Sequence, residues 1–147
     1  EIFMNTYLKP FLKNVEQVNS SEIQNNINYK YLNGKTIVAG SVDGNAIKLS
    51  DGTMIFVDSW SPSDKSYRGL LVDTNGFKKP NILGRDLFAF KIDQKGVCPT
   101  NYDKTWEEAL SPNEHHMCNK NAGVSGYACT LVIMMDGWEI KSDYPWR

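Results

Sequence analysis

The sequence predicts an α+β fold: short N-terminal helices, then an antiparallel sheet of about four to five strands, then a long C-terminal loop. Apolar residues at helical spacing open the chain, and β-prone runs separated by turn signals follow. A later stretch is rich in Asn, Gly and Pro. Strands do not alternate with helices, as they would in a parallel sheet. A length of 147 residues suits a single domain that covers 1–147.

The helices at the start are predicted from residues 2–15, where Pro10 interrupts the apolar pattern. Proline inside a helix removes a hydrogen bond and clashes with the preceding turn. We therefore predict a helical turn that ends near Leu8 and a second short helix that starts near Pro10. The Asn-rich stretch at 19–28 is predicted to be a loop.

The sheet is predicted from runs of β-prone residues. Residues 46–49 and 53–57 stand on either side of a Ser-Asp-Gly turn at 50–52, and Asp-Gly in this position is a strong hairpin signal. Residues 69–72 and 87–92 are predicted to be two more strands. Side chains alternate between two faces in the last of these, and we expect one face to be more buried than the other.

The C-terminal third is predicted to be mostly irregular. Residues 94–127 contain two prolines and many Asn and Gly, with a short helix around 104–110. A loop of this length in a compact domain usually has a function or is held by a covalent link. The nearly continuous apolar run at 128–135 favours a buried strand, although a short helix also fits.

The composition limits the possible function classes. Hydrophobic residues make up 41% and charged residues 22%, so the chain is an ordinary globular protein. The 16 Lys and Arg nearly balance the 17 Asp and Glu and form no basic stripe, so no nucleic-acid partner is evident. No run approaches the ~20 apolar residues that span a bilayer. Because residue 1 is Glu, we expect an excised fragment whose targeting segment lies upstream.

Three cysteines lie in the last third of the chain, Cys98, Cys118 and Cys129. No CxxC pair suggests a zinc or thioredoxin-like site. The count fits one extracytoplasmic disulfide with a thiol left over, or three reduced cysteines in a cytosolic protein. Spacing alone leaves all three pairings open.

Short strings between residues 7 and 146 occur in a recognisable order. They are YLKPFLK at 7–13, YLNG at 31–34, LSDGT at 49–53, VDTNGFKKPN at 72–81, GRDLF at 84–88, and CT, DGWEI and DYPW between 129 and 146. In order and rough spacing they resemble strings of proteins with a prepilin-type cleavage and methylation N-terminus, a family that includes type IV pilins and type II secretion pseudopilins.

This resemblance implies a pilin-like head and a structural role without enzyme activity. Its partners would be other pilin subunits, joined through an N-terminal hydrophobic helix that this sequence lacks, and the inner-membrane assembly platform. The location would be an extracellular or cell-surface filament with a membrane-anchored precursor. The alternatives are a secreted glycan- or protein-binding module, or an extracellular hydrolase that uses Cys118 with His115 or His116.

The resemblance also suggests a calcium site. Asp73, Asn75, Asn81 and Asp86 supply the oxygen ligands that calcium prefers, and major pseudopilins hold calcium in a loop near the same part of the fold. In the alternative interpretation, Asp73 and Asn75 make Asx-type turns and Gly76 adopts a positive φ. Calcium is the only cofactor that we predict.

For the cysteines, the resemblance places one at the position of Cys129 and its partner in the preceding loop. The intervening residues 119–128 hold two Gly and two Asn and can turn back readily. We therefore expect a Cys118–Cys129 disulfide and a free Cys98. Relatives often have a further cysteine near residues 13–18, and this chain has none there.

Three other groups of residues have plain structural interpretations. His115 and His116 are expected to be solvated loop residues, and Glu107 and Glu108 a solvated helix face rather than an acid/base pair. The four tryptophans, Trp60, Trp106, Trp138 and Trp146, could form a glycan-stacking platform, but aromatic residues more often pack in a core or an interface. Trp60 and Trp106 lie outside the predicted strands and are the candidates for surface contact.

Overall fold

The computed structural model describes residues 4–26, 28–37, 46–57 and 68–145. The first described residues form a π-helical turn at Met4–Leu8 and a 3-10 turn at Lys9–Phe11. Pro10 lies in the second turn, where a missing backbone N–H costs little. The two predicted helical segments are present, and the second follows the first directly.

Helix α1, Ser20–Asn26, occupies the stretch that the sequence predicted to be a loop. The prediction was wrong because the asparagine before the helix has a capping role. Asn19 Oδ1 accepts a hydrogen bond from the Glu22 backbone N–H at 2.9 Å. Ile23 is only 2% exposed, so burial in the core adds to the stability of the helix.

The sheet has six antiparallel strands in sequential order. They are β1 (Glu16–Val18), β2 (Ala46–Lys48), β3 (Met54–Val57), β4 (Arg68–Asp73), β5 (Leu87–Asp93) and β6 (Gly96–Pro99). The antiparallel α+β prediction is confirmed, and β2 to β5 lie where the sequence placed strands. The number differs from four to five because both edge strands, β1 and β6, are too short for an alternating pattern.

The predicted hairpin between β2 and β3 is present. Leu49 and Thr53 close the turn through a backbone hydrogen bond of 2.8 Å, and Asp51 Oδ1 accepts from the Thr53 N–H at 2.9 Å. Gly52 has a φ of +94°, a conformation that glycine adopts without strain.

Two short helices complete the fold, α2 (Trp106–Ala109) and α3 (Cys129–Met135). Helix α2 confirms the helix predicted around 104–110. The run at 128–135 is a helix and not the favoured strand. Its first five residues are all buried, so no periodicity distinguished the two states. Thr130 Oγ1 accepts a hydrogen bond from Ala89 N at 3.1 Å, which places α3 against β5.

The core consists of two apolar clusters. In the first, Phe56, Leu71 and Ala89 stand opposite one another on β3, β4 and β5 and are almost fully buried. The second surrounds Leu131 and Val132 of α3. Within the described ranges, no helix is long and apolar enough to cross a membrane.

Candidate functional site

The four predicted calcium ligands lie in one loop between β4 and β5, which we call the carboxylate loop (residues 73–86). Asp73 ends β4 and is fully buried. Its Oδ1 accepts from the N–H groups of Asn75 (3.0 Å) and Gly76 (2.9 Å), and Oδ2 accepts from the Tyr29 hydroxyl at 2.7 Å. Gly76 has a φ of +63°. The turn around Asp73 thus has the predicted Asx geometry.

Asp86 fixes the other end of the carboxylate loop. Its Oδ2 accepts from the Asn81 N–H at 2.7 Å and from Asn75 Nδ2 at 3.1 Å. Its Oδ1 accepts from the Ile82 N–H at 2.7 Å. Only 5% of Asp86 is exposed, so this carboxylate replaces water as the acceptor for three donors. The structure therefore brings Asp73, Asn75, Asn81 and Asp86 together, as the sequence predicted.

The side-chain amides of Asn81 and Asn75 in the carboxylate loop differ in their hydrogen bonding. With its Nδ2 turned toward the loop carbonyls, Asn81 donates to Lys78 O at 2.7 Å and to Gly76 O at 3.3 Å. Asn75 Oδ1 is buried and has no hydrogen-bond partner within the part of the chain that the structure describes. A buried oxygen of this kind can accept a hydrogen bond or a cation.

Burial dominates the electrostatics of the carboxylate loop. It raises the pKa of Asp73 to about 6, and the nearby Asp86 charge adds to this, while the hydrogen bonds from Tyr29, Asn75 and Gly76 oppose it. Burial, followed by the charge of Asp73, also strongly raises the pKa of Tyr29, which keeps its hydroxyl a donor. Over the described ranges, no three His, Cys, Asp or Glu side chains form a group that could hold a metal ion.

Cys118 and Cys129 form the predicted disulfide, and both are fully buried. The segment that it closes, residues 118–129, we call the disulfide segment. Cys98 on β6 is a half-buried free thiol, and burial raises its pKa. Because Cys118 is bonded, it offers no thiolate for the hydrolase mechanism that we considered.

The two histidines before the disulfide segment lie beside an aromatic ring. The rings of His115 and His116 are 6.2 Å apart, and His116 meets Tyr127 edge to face at 5.4 Å. Partial burial, followed by the charge of His115, lowers the pKa of His116. His116 is therefore mostly neutral at neutral pH.

The carboxylate loop and the disulfide segment meet at two glycines. A Cβ on Gly84 would lie 2.5 Å from Cys129 Sγ, and one on Gly126 would lie 2.5 Å from Leu83 O. Both glycines have positive φ. Sequence reasoning missed this contact, although the glycine of the GRDLF string was visible. Nothing in a single sequence indicates which distant segment a glycine touches.

The remaining predicted surface residues divide as follows. Trp106 opens α2 and is 37% exposed, whereas Trp60 lies outside the described residues. Glu107 and Glu108 are both exposed, and Glu108 forms a capping box with Thr105. Trp138 is 60% exposed, although the sequence favoured Trp60 and Trp106 as the surface candidates.

A groove of about 600 Å³ lies over the β4–β5 part of the sheet. Its lining comes from three separate parts of the chain, the strands, residues 100–104 and residues 116–127, together with Tyr31. The sequence did not reveal it, because residues far apart in the chain form it only after folding.

A search against protein families matches residues 1–147 to a family of unknown function, DUF6613. No curated protein and no solved structure matches the chain.

Proposed function

The chain belongs to this family of unknown function, and we propose that it is the pilin-like globular head of a structural subunit in an extracellular type IV pilus or type II secretion pseudopilus. One observation supports the proposal above others. In order and rough spacing, the strings between residues 7 and 146 resemble strings of proteins with a prepilin-type N-terminus. Chance agreement of one such string is common, but agreement of the whole series over nearly the full chain is not.

The N-terminal surface supports a role in assembly. Tyr7 and Phe11 are 62% and 82% exposed in the helical turns that precede β1. Contiguous exposed apolar patches are typical of surfaces that another protein covers, and these two aromatic side chains stand four positions apart in the chain. In the proposed filament, a hydrophobic helix would lead into these turns, and neighbouring subunits would pack around them.

The disulfide supports the proposed location. Disulfides form and persist in oxidising compartments and are rare in the cytosol. A buried Cys118–Cys129 bond therefore favours a head that folds outside the cytoplasm. The proposal adds to this a precursor anchored in the membrane and assembly by an inner-membrane platform.

The upstream gene sequence tests the proposal directly. We expect a basic leader that ends in Gly, then a hydrophobic stretch led by Phe with Glu at its fifth position. Their absence would refute the filament role and leave the alternative, a secreted binding module, which the groove over β4 and β5 favours.

A variant of the full-length protein tests assembly in cells. Phe11→Glu should remove the subunit from filaments sheared off the cell surface, because the charge would oppose burial at a subunit contact. Val97→Glu is the matched control, since Val97 is 64% exposed on the far edge strand β6. Equal recovery of both variants in the filament fraction would contradict the proposed contact.

Calcium binding by the carboxylate loop stays a prediction. An ion would use the carboxylates of Asp73 and Asp86 and the amide oxygens of Asn75 and Asn81, in competition with the N–H donors described above. Of these atoms, Asn75 Oδ1 has no hydrogen-bond partner among the described residues. Bound calcium would raise the melting temperature with ion concentration. A melting temperature that responds neither to millimolar calcium nor to a chelator would favour turns held by hydrogen bonds alone.

A further inference from the structure

The groove over the sheet has a floor of small and apolar residues. Gly69 stands opposite Lys91, and Leu71 stands opposite Ala89, so these four residues share one face of β4 and β5. Leu71 and Ala89 also belong to the first core cluster, which covers this part of the face. Gly69 has no side chain and that of Ala89 is small, so the groove has room beside that core. All four residues line the groove.

Aromatic rings form part of the lining. The rings of Tyr31 and Tyr127 lie 6.5 Å apart with a tilt of 46°, and His116 adds a third ring next to Tyr127. Tyr31 and Tyr127 also pack against the first core cluster, which fixes their positions. Rigid tyrosines offer an apolar face together with a hydroxyl, and they contribute to binding with little loss of side-chain entropy.

Polar groups from residues 100–104 complete the lining. Thr100, Asn101 and Asp103 supply hydroxyl, amide and carboxylate groups. The charges of the two lining lysines are compensated. Lys104 Nζ lies 3.1 Å from Glu114, and Lys91 Nζ lies 3.4 Å from Asp93 and 4.0 Å from the centre of the Tyr102 ring.

We propose that this groove binds a short neutral oligosaccharide. A sugar ring presents C–H groups on its faces, which stack on Tyr31 and Tyr127, and hydroxyl groups on its edges, which pair with Asn101 and Asp103. A polyanion would need uncompensated cations, and both lysines already have carboxylate partners. A volume of about 600 Å³ lies in the range of small-molecule sites.

Saturation-transfer NMR on the 1–147 protein tests the inference with lactose, N,N′-diacetylchitobiose and mannobiose as probes. We expect at least one of them to receive saturation at its ring C–H protons. The double variant Asn101→Gly/Asp103→Ala should bind at least tenfold more weakly. Glycine retains the positive φ of Asn101 in this variant. Tyr127→Leu, which keeps an apolar side chain in contact with the core, should lose binding as well.

Asn113→Gly/Glu107→Ala is the matched control, because it makes the same types of change at exposed residues outside the groove. It should bind as the unchanged protein does. Two results would overturn the inference: no saturation transfer to any of the three sugars, or binding that survives the groove variants and is lost with Trp106→Ala. A groove on a filament head or on a free module would bind the same sugar, so failure here leaves the filament proposal standing.

Discussion

The carboxylate loop and the disulfide segment are both irregular, yet opposite kinds of chemistry hold them. Buried carboxylates of Asp73 and Asp86 accept hydrogen bonds from the backbone of the first. A covalent bond between Cys118 and Cys129 closes the second. The first arrangement depends on the protonation of its acceptors and the second on the redox state of its sulfurs. Two segments that both look irregular in the sequence therefore respond to different conditions, the first to pH and the second to reducing agents.

The two segments are also coupled, because they touch. Gly84 of the carboxylate loop packs on Cys129, and Tyr144 donates its hydroxyl to Gly84 O at 2.9 Å. Gly126 of the disulfide segment packs on Leu83. A change in either segment moves atoms in the other, so controls at exposed, separate sites are needed to tell their contributions apart.

The largest effect is expected from Asp86→Ala, which removes the acceptor for the Asn81 and Ile82 N–H groups and for Asn75 Nδ2. Each buried donor left without a partner costs about 1 to 3 kcal/mol, so we expect a loss of about 5 kcal/mol in the free energy of unfolding. Urea unfolding monitored by circular dichroism measures it.

Asp51→Ala is the control for that change, because Asp51 accepts a backbone N–H in an exposed turn. The loss in the free energy of unfolding of Asp51→Ala should be far smaller, since water can replace the carboxylate as the acceptor. Equal losses from both variants would mean that burial of the Asp86 carboxylate does not matter.

The next effect is expected from removing the disulfide. Closing a loop with a sequence separation of 11 residues stabilises the fold by about 3 kcal/mol in the chain-entropy model. The double variant Cys118→Ala/Cys129→Ala should lose about 3 to 4 kcal/mol, since buried sulfur contacts are lost too. Cys98→Ala, at the free half-buried thiol, should lose much less. Reducing agent should destabilise the unchanged protein and leave the double variant unaffected.

The features that the sequence predicted are those that depend on a short local pattern. The features that it missed depend on contacts between residues far apart in the chain. The Asp-Gly turn and the strands beside it lie where predicted, because a short string contains the whole signal. The oxygen-rich loop was also recognisable, since its four residues lie within 14 positions of one another. Tyr29, which donates to Asp73 from 44 positions away, was not. For helix α3 the sequence favoured a strand and left a helix open, because burial of its first five residues removes the periodicity that separates helix from strand.

A smaller effect, in the pH dependence, separates the carboxylate loop from the disulfide segment. The folded pKa of Asp73, about 6, lies above its ordinary value of 3.8. The contribution of this group to stability is therefore complete below about pH 4 and is lost as the pH rises through 6. Asp73→Asn imitates the protonated acid, so its stability relative to the unchanged protein should rise by about 2 kcal/mol between pH 4 and pH 6, and by about 3 kcal/mol in all once the pH is well above 6.

Urea unfolding across this pH range in chelator measures the difference between Asp73→Asn and the unchanged protein. The Cys118→Ala/Cys129→Ala variant should show a pH-independent difference instead, because neither alanine titrates. Parallel curves for Asp73→Asn and the unchanged protein would contradict the raised pKa. With calcium bound, the ionised carboxylate would be favoured and the slope would reverse.

The smallest effect, from Tyr29→Phe, refines the same comparison. The change removes only the hydroxyl that donates to Asp73 Oδ2 at 2.7 Å and keeps the ring in edge contact with Phe56. Because that hydrogen bond lowers the pKa of Asp73, its loss should raise the pKa further. We expect a loss of about 1 kcal/mol at neutral pH, when the carboxylate is ionised, and a smaller loss at about pH 5.

Thr105→Ala provides the matched loss of one hydroxyl next to the disulfide segment. Thr105 Oγ1 accepts the Glu108 N–H at 3.2 Å, and losing this cap should cost about 1 kcal/mol at both pH values. Guanidinium unfolding at the two pH values gives the loss in the free energy of unfolding for each variant. Only the loss for Tyr29→Phe should differ between the two pH values. If the loss for Tyr29→Phe were also the same at both pH values, the hydroxyl would be stabilising packing and not a titrating carboxylate. The pH sensitivity of the carboxylate loop would then come from the burial of Asp73, without a contribution from the Tyr29 hydroxyl.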